Sequence, residues 1–285
     1  MRPHTLTAAV MPVLIGTAMA FVDGIINFAL FAAMLVASVL IQSAVNMFNE
    51  YFDFRRGLDT AESVGIGGVI VKKEIEEQTV LRTAITFFAI SVLLGVYICF
   101  AASWWVAIIG SVSMIVGYFY SAGKHPIAYT PFGELAAGIF MGPVIVLIAY
   151  FVQRGSLTFD AVLISVPISI LVAAILMANN IRDAEPDRTK GRKTIAVLRG
   201  KAKAVSCLAW MFACAMLWTV LLVVFRILSP WALLVFLSLP KAVQSIRLFK
   251  SGNTPAEMLP AMKAASVLHT QFGVLFSLGL LVGKF

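Results

Sequence analysis

Charge is scarce in this chain. Of its 285 residues only 13% are Asp, Glu, Lys or Arg, against about 25% in soluble domains. A sequence so poor in charge cannot cover a globule in water, which excludes a soluble fold. Cysteine is nearly absent. Cys99, Cys207 and Cys214 all lie inside apolar runs, in no Cys-x-x-Cys or Cys/His grouping. That excludes a disulfide framework and a thiolate metal site, and apolar buried thiols are expected instead. The three histidines, His4, His125 and His269, have no carboxylate at a useful spacing. The apolar runs do not alternate with polar residues, so a β-barrel is excluded too. No cleavage-site pattern follows Arg2, and the first apolar run reads as a helix rather than a removable signal peptide.

What the chain has in excess is hydrophobic side chain, 60% of the total, with a mean hydropathy of +0.94. Lipid must then be the solvent, and helices satisfy the backbone there. A spanning helix needs about 20 mostly apolar residues. Nine runs qualify, at roughly 6–22, 26–48, 80–101, 104–120, 132–152, 160–182, 204–225, 229–248 and 263–283. The expected fold is all-α: a polytopic membrane protein of nine transmembrane helices, with residues 1–285 forming a single domain. Tight turns at Gly24, Ser103, Gly155 and Ser229-Pro230 mark one side. The long connections 49–79, 121–131, 183–203 and 249–262 mark the other. Only Arg154, Arg226 and Lys284 fall on the short-turn side. Basic loops stay cytoplasmic, so the N-terminus and long loops are expected inside and the C-terminus outside. The net charge of +8 therefore reflects loop placement. No basic stripe interleaved with aromatics suits nucleic acid, and anionic headgroups or a diphosphate fit better.

The polar residues that remain are patterned. The second run ends in Asn46-Met-Phe-Asn49-Glu50-Tyr51-Phe52-Asp53. The sixth ends in Asn179-Asn180-Ile-Arg182-Asp183-Ala-Glu185-Pro-Asp187. This weak repeat suggests two four-helix halves of like orientation plus a ninth helix, with the acidic ends facing each other across a central cavity. Asn179, Asp183 and Asp187 follow i, i+4, i+8 and share one helical face. Asn49 and Asp53 repeat the i, i+4 spacing, Gly57 breaks the helix, and Asp59 follows in the loop. Carboxylates at a membrane boundary are costly unless paired or facing a wet cavity. Solvated loop charge explains one such cluster easily, and two matching ones poorly. An all-oxygen donor set without His or Cys suits Mg²⁺, an ion that favours sites shared with phosphate. Cations crowd the same stretches: Arg55, Arg56, Lys72, Lys73, Lys124, Arg182, Arg188, Lys190, Arg192 and Lys193. Carboxylates and cations together call for a polyanion bridged by metal, and diphosphate is the natural candidate.

At these residues the chain resembles the UbiA superfamily of membrane prenyltransferases. Its first motif, NDxxDxxxD or a spaced variant, corresponds to Asn49-Glu50-Tyr51-Phe52-Asp53 through Asp59. Its second, DxxxD, corresponds to Asp183 and Asp187, and a YxxxK motif to Tyr120 and Lys124. Glu50 stands where many members have Asp, and its longer arm argues against Glu50 as a direct ligand, not against the fold. Within the superfamily the resemblance is greatest to the branch that prenylates 1,4-dihydroxy-2-naphthoate in menaquinone biosynthesis. It is carried by Arg2-Pro-His4-Thr-Leu, the run from Asn46 to Asp59, Gly142-Pro143 and the stretch Asn179-Asn180-x-x-Asp183-x-x-x-Asp187-x-x-x-Gly191-Arg192-Lys193-Thr194, with Leu259-Pro-Ala-Met-Lys263 also fitting, and it covers nearly the whole chain.

The resemblance implies a polyprenyl diphosphate donor, 1,4-dihydroxy-2-naphthoate as acceptor, loss of CO₂ and diphosphate, and Mg²⁺ as cofactor. It implies metal ligation by Asn49, Asp53, Asp183 and Asp187, and catalytic roles for Asp53, Asp59, Tyr120 and Lys124. It further implies substrate contacts from Asn46, Arg55, Arg56, Lys73, Lys124, Asn180, Arg192 and Lys193. Tyr51, Phe52, Phe119 and Tyr120 are placed to stabilise an allylic cation, although simple packing is the commoner role for such aromatics. The cavity is expected to open sideways into lipid, and Gly65-Ile-Gly67-Gly68 to cap it. The implied location is a bacterial cytoplasmic membrane, with no obligate protein partner and no nucleic acid. Another aromatic acceptor, 4-hydroxybenzoate, homogentisate or a tetrapyrrole, is the alternative within the superfamily. A secondary transporter is the rival class, since parallel repeats suit one. Almost uncharged helix interiors and short outer turns argue against it.

Overall fold

A computed structural model describes residues 3–57 and 68–284. Asp59, Gly65 and Gly67 lie outside the described residues. Every described element is helical. In chain order they are α1 (Pro3–Asp23), α2 (Phe28–Arg55), α3 (Glu77–Ala101), α4 (Trp105–Ser121), α5 (Gly133–Met141), α6 (Pro143–Arg154), α7 (Phe159–Arg182), α8 (Ala184–Thr189), α9 (Ile195–Arg199), α10 (Lys201–Val224), α11 (Leu239–Ser251) and α12 (Pro255–Val282). Short 3₁₀ segments cover Ile127–Tyr129 and Pro230–Ser238.

Local chemistry sets the starts. Asn27 takes the Ala29 and Leu30 amides on its side chain and opens α2 directly after the turn. Thr158 and Thr254 do the same for α7 and α12, each satisfying amides that the first turn leaves unpaired. Eight segments have the length and apolarity to cross a membrane, and α4, at 17 residues, is the shorter ninth. Two crossings that read as continuous runs are broken. The fifth splits into α5 and α6 at Gly142-Pro143, because Pro143 has no N–H to continue the ladder. The eighth begins as the 3₁₀ segment and becomes α-helical at α11, whose first turn holds Pro240. The ninth starts at Pro255 rather than near 263. Its first turns carry Glu257 and Lys263, which hide it from hydropathy.

The ninth helix is not an appendage. In α12, His269, Phe272 and Phe276 are completely buried, and the helix packs on α1, α7 and α11. The main core joins these helices to α10. Gly273 allows the contact with α1, since a Cβ there would lie 2.7 Å from the Met11 side chain. By contrast, α3 and α4 turn their large apolar side chains outward. Leu93 is 70%, Phe100 75% and Trp105 67% exposed, as lipid-facing residues should be. Between the α2–α4 side and α5–α7 lies a cavity of about 700 Å³.

Candidate active site

The cavity has a polar mouth and an apolar interior. C-terminal α2 brings Asn46, Asn49 and Asp53 to the mouth, and C-terminal α7 brings Asn179, Asn180 and Arg182. Asp183, Asp187, Lys190 and Arg192 complete it from the turn and short helix that follow. Further in, the walls are small or apolar: Ala37, Val45, Ala107, Gly110, Ala137 and Ile175 among others. Along α4 the lining runs from Tyr120 to Trp104, a depth of ~24 Å at the helical rise. Added Cβ atoms at Gly95 and Gly110 would meet open space.

The two acidic helix ends meet through one guanidinium. Arg192 Nη2 lies 2.9 Å from Asp53 Oδ2, and its Nη1 lies 3.3 Å from Asp187 Oδ1. Both carboxylates are nearly buried, at 4% and 5% exposure. Tyr129 supports this bridge twice. Its hydroxyl donates to Asp53 Oδ1 at 2.7 Å, and its ring lies 4.3 Å beneath the Arg192 guanidinium, a favourable cation–π contact. Its carbonyl accepts the Lys193 amide at 2.8 Å, which fixes the chain just past Arg192. Asp183 has a different partner. Arg182 Nε donates to its Oδ1 at 2.7 Å, Nη2 donates to Oδ2, and Nη1 donates to Met262 Sδ of α12.

Burial and charge tune these groups. Burial pushes the Asp187 carboxyl up to about 6, with Arg192 opposing and Asp183 and Asp53 adding to the rise. Burial alone would lower the Arg192 guanidinium, but Asp53 and Asp187 hold it well above its ordinary range. Burial and then the charge of Asp53 raise the Tyr129 phenol.

The residues expected from the sequence divide in three. Asn46, Asn49, Asp53, Tyr120, Asn180, Asp183, Asp187 and Arg192 all line the cavity. Arg56, Lys124 and Lys193 lie near the mouth but do not line it. Arg56 donates to the Ser121 and Gly123 carbonyls and to Tyr129 Oη, tying the end of α2 to the end of α4. The Lys124 and Lys193 side chains are exposed. Arg55 and Lys73 stand apart: Arg55 pairs with Glu77 at 3.3 Å, and both line a separate shallow pocket with Ile70 and Glu76. Of the aromatics, Tyr120 faces the cavity. Tyr51, Phe52 and Phe119 pack edge-to-face with neighbouring rings instead. Glu50 turns away and accepts the Gly68 and Ile70 amides, anchoring the chain as it returns from the loop. Its extra methylene gives that reach.

Sequence reasoning missed Tyr129 and Glu134. Tyr129 ends the short 3₁₀ segment between α4 and α5, with no motif around it. Glu134 lies in the first turn of α5, 4% exposed, a rare place for a carboxyl. That rarity was the available signal.

The donor set fits a hard divalent cation. All candidate ligands are oxygen, and Asp187 Oδ2 is buried without a hydrogen-bond partner. Asn49 gives its Nδ2–H to Ser121 Oγ at 3.0 Å, which leaves its carbonyl oxygen for the cavity. Among the described residues no three acidic, histidine or cysteine side chains already converge on a cation position. Arg192 stands between Asp53 and Asp187, and Arg182 pairs with Asp183.

Comparison with known proteins agrees with this architecture. Residues 9–267 match the model of the UbiA prenyltransferase family. The 1,4-dihydroxy-2-naphthoate octaprenyltransferase of Bacillus subtilis (strain 168) is 52% identical over 284 residues, covering 100% of this chain and 91% of its own. The protein of that name from Mycobacterium tuberculosis is 29% identical over 92% of this chain and 88% of its own. Among solved structures, an apo UbiA homolog from Aeropyrum pernix K1 superposes with a TM-score of 0.74, at 17% identity, over 100% of this chain and 99% of that one. A UbiA homolog from Archaeoglobus fulgidus bound to DMAPP and Mg²⁺ gives 0.66, at 17% identity, over 97% of each chain. By the extent of the family match and the identity to these relatives, the chain belongs to the UbiA prenyltransferase family.

Proposed function

We propose that this membrane protein transfers a polyprenyl group from polyprenyl diphosphate to 1,4-dihydroxy-2-naphthoate, releasing diphosphate and CO₂ and forming demethylmenaquinol. The observation that carries the reading is the meeting of two acidic helix ends, through Arg192, at the mouth of an apolar cavity. The name of the 52% identical relative supports the acceptor.

Asn49, Asp53, Asp183 and Asp187 would hold Mg²⁺. When bound, Mg²⁺ neutralises the diphosphate and makes it a better leaving group. Arg192 and Lys190 supply positive charge at the same mouth. Arg192 leaves Asp53 and Asp187 for the diphosphate oxygens, so the group that neutralises the carboxylates in the free protein neutralises the leaving group in the loaded one. Tyr129 keeps Arg192 and Asp53 in register through this exchange. Tyr120 presents its ring where the apolar wall begins and faces the carbon that loses diphosphate. The prenyl tail lies along the apolar reach beside Gly95 and Gly110. The acceptor sits between, at the level of Asn179 and Asn180, and attacks through a ring carbon. The C–O bond to diphosphate breaks, a C–C bond forms, and the ring carboxylate departs as CO₂.

The test is an assay in detergent with Mg²⁺, a polyprenyl diphosphate and dihydroxynaphthoate, read as prenylated naphthoquinol and pyrophosphate. Asp53→Asn and Asp183→Asn should each lower turnover by at least about 100-fold, as loss of a charge-stabilising group does, while the protein remains folded in the membrane. Turnover that persists with Mg²⁺ chelated, or transfer only to 4-hydroxybenzoate, overturns the reading.

A further inference from the structure

Two asparagines on the cavity wall are held the same way round. Asn49 gives its Nδ2–H to Ser121 Oγ. Asn180 gives its own to Glu134 Oε1 at 2.9 Å. A carboxylate only accepts, so the Glu134 contact selects the amide orientation. The NH₂ group points into the protein and Oδ1 is left on the cavity side, where Asn180 is a lining residue.

Glu134 is an expensive way to hold an amide. Its side chain is 4% exposed, and Oε2 is buried with no hydrogen-bond partner. It appears in no ion pair among those of the described residues. A buried carboxyl without a countercharge is costly. Its place in the first turn of α5 recovers part of that cost through the helix dipole. What Glu134 adds is an acceptor that never donates while ionised, and so admits one orientation of Asn180.

We propose that Glu134 is a positioning residue: it clamps the Asn180 amide so that Oδ1 accepts a hydrogen bond from a ring hydroxyl of the aromatic acceptor. This rests on the prenyl-transfer reading above. The ligand follows from position. Asn180 precedes Asp183 by nearly one helical turn, on the side of the apolar wall formed by Ala136 and Ile175. A neutral acceptor at the border between charged mouth and apolar interior suits a phenolic hydroxyl. The carboxylates nearer the mouth suit metal and diphosphate.

The test measures KM for dihydroxynaphthoate and for polyprenyl diphosphate separately, on the full-length protein in detergent. Glu134→Leu frees the amide and should raise the acceptor KM about tenfold, the effect of one lost hydrogen bond, with the donor KM unchanged. Glu134→Gln accepts through its carbonyl but can also donate, so it should restore the acceptor KM only in part, to a value between wild type and Glu134→Leu. Adding Asn180→Asp to Glu134→Leu should also restore it, because both carboxylate oxygens accept. Asn180→Ala alone should reproduce the acceptor-specific loss, and serves if Glu134→Leu does not assemble. A purely structural Glu134 would lower thermal stability and move both KM values together, or neither; either result overturns the proposal, as does an unchanged acceptor KM in Asn180→Ala. A wild-type protein that never turns over dihydroxynaphthoate overturns the functional reading itself, and this proposal with it.

Discussion

Arg192 occupies the position between Asp53 and Asp187 where a divalent cation would relieve the same repulsion. Its two contacts, at 2.9 and 3.3 Å, hold the acidic ends together when no other positive charge is present. Arg192→Leu should therefore have opposite effects on two ligands. Divalent-cation affinity without diphosphate should rise severalfold, because the competing guanidinium is gone. The KM for polyprenyl diphosphate should rise by about tenfold or more, because a charge-assisted contact is lost. Calorimetric titration with Mg²⁺ reads the first and steady-state kinetics the second. Weaker Mg²⁺ binding in Arg192→Leu would show that the guanidinium does not compete. Asp187 makes a further prediction for the metal-free protein. Its folded pKa, about 6, lies above its ordinary value of 3.8. The folded state therefore binds the proton more tightly, and stability from this group falls as pH rises from near 4 to above 6. The loss approaches ~3 kcal/mol at neutral pH. In EDTA, wild type should lose stability relative to Asp187→Asn across that window, as followed by thermal unfolding at several pH values. Much of this site is legible in the sequence, because Asn49, Asp53, Asp183 and Asp187 repeat at helical spacing at the ends of runs that otherwise carry almost no charge. Tyr129 and Glu134 are not, because each acts through a partner far along the chain: Asp53 for one, Asn180 for the other.

The order of the crossings and, approximately, their number follow from hydropathy, since lipid admits no exposed irregular backbone within an apolar run; eight described segments and the shorter α4 answer to the nine runs. The breaks within runs depend on tertiary contact and are harder to see. The proline at 143 predicts a disturbed ladder, but its consequence depends on what Gly142 touches. A Cβ on Gly142 would lie 2.4 Å from the Gly138 carbonyl and 2.5 Å from Ser169 Cα, both backbone atoms that cannot swing aside. The break thus brings α5 close to α7, where Ser169 Oγ also donates to the Gly138 carbonyl at 3.0 Å. This contact sets the distance between Glu134 on α5 and Asn180 on α7. Gly142→Ala already places that Cβ, so it should cost about 1–3 kcal/mol of stability through overpacking and raise the KM for the naphthoate as α5 is pushed from α7. Gly142→Leu should prevent assembly. Size-exclusion chromatography in detergent and the two-substrate kinetics separate these outcomes.

At the scale of the molecule, the two ends of the bundle differ in kind. One end carries the mouth and the polar connections around it, including Gly252, whose carbonyl accepts from Lys201 Nζ. The other is closed by short turns latched to each other. Tyr150 donates to Asp23, Gln153 and Asn27 exchange hydrogen bonds, and Lys284 donates to the Phe21 carbonyl. The end rich in Lys and Arg should face the cytoplasm, which puts the mouth on the side where a water-soluble naphthoate is available. Single cysteines introduced into a protein lacking Cys99, Cys207 and Cys214 test this directly. Lys250 is exposed at the mouth end of α11, and Leu157 is 52% exposed in the turn between α6 and α7. In intact cells a membrane-impermeant maleimide should label Leu157→Cys and spare Lys250→Cys, which reacts only after permeabilisation. The reverse pattern would place the mouth outside, and with it the cations that the positive-inside bias assigns to the cytoplasm. The latched turns would then face the cytoplasm, and the mouth would open away from the side where the naphthoate is available.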